Sequence, residues 1–69
     1  MDAKELRSAL VELEWSQNSL ARRLGVSNTI VSRWTTGQAK IHRFAGTYVE
    51  MALQVKRITA MLNQVIAKR

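Results

Sequence analysis

The apolar positions of this chain fall into four runs with helical spacing, separated by short polar breaks. In the first, from about Asp2 to Glu14, Leu6, Leu10 and Leu13 lie four and three residues apart, which sets them on one stripe of a helix. Asp2 stands where an N-cap belongs, and its charge suits a helix N-terminus. The second run opens at Ser16, another capping type, and ends at Leu24, with Leu20, Ala21 and Leu24 on a shared face. Gly25 follows, where a left-handed residue closes a helix at least cost. A third run opens after Ser27, carries Ile30, Val31 and Trp34 as its stripe, and closes at Gly37. Only Gly25, Val26 and Ser27 separate the second run from the third, so two short helices joined by a tight turn must cross steeply.

The fourth run is longer. Phe44, Tyr48, Met51, Val55, Ile58, Leu62 and Val65 alternate spacings of four and three, and Met61 and Ile66 widen the stripe in its second half. This predicts one helix from about Arg43 to Ala67, with Gly46 loosening its first turns. Three short helices have their own core to fill and cannot also cover the second half of that stripe. A partner is implied, and the same helix of a second copy is expected, meeting through Val55, Ile58, Met61, Leu62, Val65 and Ile66. The expected fold is all-α: one domain over residues 1–69, three short helices and one long C-terminal helix, dimeric.

Composition strengthens the case for a partner. A 69-residue domain buries only about 60% of the surface of its unfolded chain, so it is marginal alone. Without cysteine there is no disulfide to stabilise it, and a lone His42 offers no metal-ligand cluster. Association is the remaining route. The same inventory speaks against an enzyme, since the acids are scattered and no paired carboxylates, glycine-rich phosphate loop or metal set is present. No cofactor or small-molecule ligand is expected. No apolar run is long enough to cross a membrane, and the charged Met1–Glu5 segment is not a signal peptide, so a cytoplasmic protein is expected.

Charge gives the chain a direction. All five acids, Asp2, Glu5, Glu12, Glu14 and Glu50, lie outside the stretch from Trp15 to Val49. Inside it sit Arg22, Arg23, Arg33, Lys40 and Arg43 with nothing opposing them. A concentrated basic segment attracts polyanions, and counterion release makes the attraction to nucleic acid favourable.

The stretch from Ser16 to Gly37, SQNSLARRLGVSNTIVSRWTTG, resembles the helix-turn-helix of the lambda-repressor-like family of phage repressors, Cro proteins and small XRE-type bacterial regulators. Each matching residue has a physical reason. Ala21 is small where two helices approach, Gly25 takes the turn, and Leu20, Leu24, Val26, Val31 and Trp34 fill the space behind them. The resemblance spans about residues 6 to 46 and fades in the long last segment, where such proteins usually have two shorter helices.

The resemblance implies that the second motif helix enters the major groove of double-stranded DNA, with Asn28, Thr29, Ser32 and Arg33 at the base edges. Asn can pair with adenine, Arg with guanine, and the Thr methyl can meet thymine. It also implies backbone contacts from Ser16 and Gln17 at the start of the first motif helix, and from Lys40 and Arg43 after the second. Arg22 and Arg23 read as solvated, His42 as a loop or cap residue, Trp34 as core and Trp15 as packing in the bend. The implied function is a dimeric repressor that occludes a palindromic operator, with the gene's own promoter as a target by family analogy. Two other readings use the last helix. As an antitoxin-like module the chain would mask a different protein with Ile58 to Ile66. As a surface-bound helix it would use Lys56, Arg57, Lys68 and Arg69 to hold an anionic membrane.

Overall fold

Each expected helix forms, and its ends are set by the residues that the sequence supplies there. The computed structural model describes residues 1–67, and Lys68 and Arg69 lie outside the described residues. It contains α1 (Ala3–Leu13), α2 (Gln17–Leu24), α3 (Asn28–Thr36) and α4 (Arg43–Ala67). At the start of α1, Asp2 Oδ1 accepts from the Glu5 amide at 2.7 Å while the Glu5 carboxylate accepts from the Asp2 amide, a capping box. Ser16 Oγ accepts from the Ser19 amide at 3.0 Å, and Ser27 Oγ from the Ile30 amide at 3.3 Å, giving α2 and α3 their caps.

The first three helices stop in the same way. Glu14, Gly25 and Gly37 take left-handed backbone, with φ of 60°, 72° and 81°. The next amide then reaches back across the last turn: Trp15 to the Leu10 carbonyl, Val26 to Ala21 and Gln38 to Arg33. Glu14 does this with a side chain in a conformation that costs a non-glycine residue roughly 1–2 kcal/mol.

The core gathers Leu6, Ala9, Leu10 and Leu13 from α1 with Leu20, Ala21, Val31, Trp34, Ala45 and Val49 from the other three helices. Here α1 is the central packing element, touching both α3 and α4, while α2 packs on α3 with Ala21 buried between them. The expected stripes of α1 and α2 point inward as read, with Leu24 half-buried at the edge.

Two stripes are placed differently from the expectation. In α3 the buried residues are Val31, Trp34 and Thr35, and Ile30 is 40% exposed. Thr35 is four residues from Val31 and so shares its face, whereas Ile30 is turned about 100° away. In α4 the buried residues are Ala45, Gly46 and Val49, with Ala52 and Leu53 packed beside them. Phe44, Tyr48 and Met51, read as the first half of an inward stripe, are exposed instead. Small side chains let α4 lie close to α1, and the bulky ones cannot occupy that contact. Gly46 does not loosen the helix, which runs through it without a break.

Beyond Leu53 every described residue of α4 is exposed. The helix therefore leaves the body as a projecting arm. This gives the molecule extents of 48 × 20 × 18 Å and a radius of gyration of 13.7 Å, against about 11 Å for a rounded chain of this length.

Candidate nucleic-acid interface

The outward side of α3 follows from its buried side. With Val31, Trp34 and Thr35 facing the core, Thr29, Arg33 and Thr36 fall on the opposite line at spacings of four and three. Asn28 opens the helix beside that line and is exposed, and Ser32 sits half-buried at its edge. The four residues expected at base edges thus share one end and side of α3. Ile30 and Thr36 border the same surface and were not singled out by sequence. Thr36 could have been found from its seven-residue spacing to Thr29, and Ile30 was hidden by its apolar character.

A polar network fixes this helix to its neighbours. Thr35 is the buried polar residue of the core; its hydroxyl donates to the Ser32 carbonyl at 3.0 Å and accepts from Gln17 Nε2 at 3.0 Å. Its own carbonyl accepts from Arg7 Nη1 at 2.6 Å. Residues from α1, α2 and α3 therefore meet at one threonine. Gln17, expected at phosphate, has one amide hydrogen committed to Thr35, which ties the start of α2 to the last turn of α3. Arg7 carries no periodicity signal, and Thr35, though spaced to share the Val31 face, is polar and so falls outside the apolar stripe. Ser16 is exposed and its hydroxyl caps α2.

Charge is distributed unequally between body and arm. Among the described residues, the recorded ion pairs join α4 to the end of α1. Arg57 grips Glu12 with two hydrogen bonds of 2.8 and 3.0 Å, and Lys56 lies 3.8 Å from Glu14 and also donates to the Glu12 carbonyl. The Arg57 hydrogen bonds, aided by the nearby positive charges, hold the Glu12 carboxyl below its ordinary pKa. Arg22, Arg33, Lys40 and Arg43 are exposed and have no acidic partner among the described residues. Arg23 is not simply solvated. Its guanidinium lies 4.0 Å over the Trp15 ring, and its Nε donates to Ser19 Oγ at 3.4 Å.

After α3 the chain passes Lys40, in the connection, to Arg43, the first residue of α4. The His42 carbonyl accepts from the Ala45 and Gly46 amides, so His42 starts the helix, as its reading as a cap residue requires. Trp34 is core and Trp15 packs in the bend, 6.0 Å from the Tyr48 ring. The described residues contain no group of His, Cys, Asp and Glu able to hold a metal ion, and no helix long and apolar enough to cross a membrane.

No curated protein and no solved structure matches the chain. The helix-turn-helix family matches residues 6–42, which takes in most of α1, the capped pair α2 and α3, and the connection beyond them. That match covers just over half of the sequence, and the chain belongs to the XRE-type helix-turn-helix family, a non-catalytic family of DNA-binding regulatory domains.

Proposed function

We propose that this protein is a cytoplasmic, dimeric, sequence-specific DNA-binding repressor. The observation that carries this reading is the outward line of α3, polar and accessible, on a body whose exposed Arg22, Arg33, Lys40 and Arg43 have no acidic partner among the described residues. In a major groove, Arg33 would pair with guanine and Asn28 with adenine, while Thr29 and Ser32 contact neighbouring bases. Ser16, Gln17, Lys40 and Arg43 would hold phosphates on either side and fix the register. Two copies joined through Val55, Ile58, Met61, Leu62, Val65 and Ile66 would present two recognition helices to half-sites about 34 Å apart, and binding would block a promoter.

Fluorescence anisotropy tests this with duplex DNA from upstream of the gene and a scrambled duplex, each at several salt concentrations. A preference for the upstream duplex that survives rising salt is the expected result. Equal binding that collapses with salt would reduce the protein to a non-specific polycation. Absence of binding, together with co-purification of a different small protein, would replace the repressor with an antitoxin-like module acting through α4.

A further inference from the structure

The apolar stripe of α4 is exposed along its whole length, so the surface to be covered begins at Phe44 rather than Val55. Its two halves have different surroundings. Beside the first half lies an open apolar cleft of about 470 Å³, walled by Leu13, Trp15, Tyr48, Met51 and Val55. It continues along Tyr48 and Met51 into a second cleft of about 750 Å³ against Leu24 and Phe44. Beside the second half, from Ile58 to Ala67, every residue is exposed and none lines either cleft. One end of the stripe is a groove and the other a ridge.

Charge identifies what can lie there. The positions flanking the stripe are neutral: Ala45, Thr47, Ala52, Gln54, Thr59 and Met61. Lys56 and Arg57, the cations of the described arm, are tied to Glu14 and Glu12. A chain of net charge +6 can therefore meet a copy of itself along this seam without like charges at its flanks. The groove, by contrast, has Arg23 and Arg43 at its rim. Groove against groove would bring those arginines towards their equivalents, whereas groove against ridge sets Arg23, beside Tyr48 and Met51, over the neutral stretch from Leu62 to Val65 and leaves Arg43 at the end of the seam.

The stripe also matches its own reversal. Forward from Tyr48 the gaps are three and four, to Met51 and Val55; backward from Val65 they are again three and four, to Leu62 and Ile58. We infer that two copies pair antiparallel along α4, the ridge of each lying in the groove of the other. Tyr48 then opposes Val65, Met51 opposes Leu62 and Val55 opposes Ile58, each twice about one two-fold axis. This arrangement rests on the dimer proposed above and specifies its geometry.

The chain lacks cysteine, so single thiols report cleanly. A Met51→Cys chain and a Leu62→Cys chain, both at exposed positions, are treated with a short bis-maleimide separately and after mixing. The mixture should give a band of doubled mass on a denaturing gel, and each variant alone should not, since like positions are about 16 Å apart along the antiparallel helices. Cross-linking of either variant alone would overturn the antiparallel arrangement in favour of a parallel one. No cross-link in any sample, with the unmodified protein sedimenting as a dimer, would place the interface elsewhere. An unmodified protein that sediments as a monomer would remove the dimer itself.

Discussion

The outward line of α3 and the arm of α4 beyond Leu53 are both exposed, and they differ in chemistry and in support. The α3 surface is polar and basic, and its reverse side is locked into the core through Val31, Trp34 and Thr35. The arm is apolar along its stripe and is tied to the body only near its base, where Lys56 and Arg57 meet Glu14 and Glu12. A polar surface is at ease in water and can wait for a ligand. An apolar one is disfavoured there for as long as it stays uncovered. Short isolated helices are marginal in water, so the arm depends on a partner in a way that α3 does not. Position is given to α3 by the fold, and in the proposed dimer it would be given to the arm by association.

The sharpest way to break the comparison is to attack the support of α3. Leu20→Ala, at a fully buried position between α2 and the core, should cost about 2–5 kcal/mol in urea unfolding followed by tryptophan fluorescence. Unchanged stability would mean that α3 is not held as described. The matching attack on the arm is Ile58→Glu combined with Leu62→Glu. That double variant should sediment as a monomer and bind DNA weakly while the Trp34 environment stays native; an unaltered mass would sink the arm as an interface. Next in size, Arg33→Ala should lose about 1–3 kcal/mol on a specific site and relax its sequence preference, without affecting folding. Equal loss on random DNA would reassign Arg33 to a phosphate.

Smaller effects lie where body and arm join. Glu14→Gly relieves a left-handed side-chain conformation at the end of α1 and should raise stability by up to about 1 kcal/mol, measured as a shift in the unfolding midpoint. A loss would show that the contact of Glu14 with Lys56 outweighs the backbone. The smallest effect concerns Glu12, whose carboxyl is held below the ordinary 4.5 mainly by the Arg57 hydrogen bonds. A depressed carboxylate contributes its stability in full above the ordinary value and loses it as pH falls through the lowered one. Unfolding midpoints of the native chain and of Glu12→Gln should therefore differ at neutral pH and converge on acidification below about 4.5. Parallel curves would show that the pair does not hold the arm.

Local structure was legible because local chemistry decides it. A serine or aspartate at the right place satisfies the first free amides of a helix, and a glycine accepts the left-handed turn at its end, whatever the rest of the chain does. Asp2, Ser16, Ser27, Gly25 and Gly37 accordingly all act as read. Glu14 escaped notice because only the demand of the α1–α2 bend puts a glutamate into that conformation. Ile30, Phe44, Tyr48 and Met51 were misplaced for a related reason. Hydrophobic spacing says which residues share a face but not which of two apolar faces will meet the core. In α4 the face of Ala45, Val49 and Ala52 was available too, and close packing on α1 selected the smaller residues. The Thr35 junction was invisible because its partners, Arg7 and Gln17, are far away in sequence.

The sequence by itself therefore determined four helices, their serine, aspartate and glycine caps, an exposed basic segment and membership of a helix-turn-helix class. These depend on residues within a turn or two of one another and on charges that sum regardless of geometry. Only the tertiary structure decided which stripe of α4 is core and which is free, and where the body ends and the arm begins. Those outcomes turn on how closely two helices approach, and a distance between segments far apart in the chain is written in no local pattern.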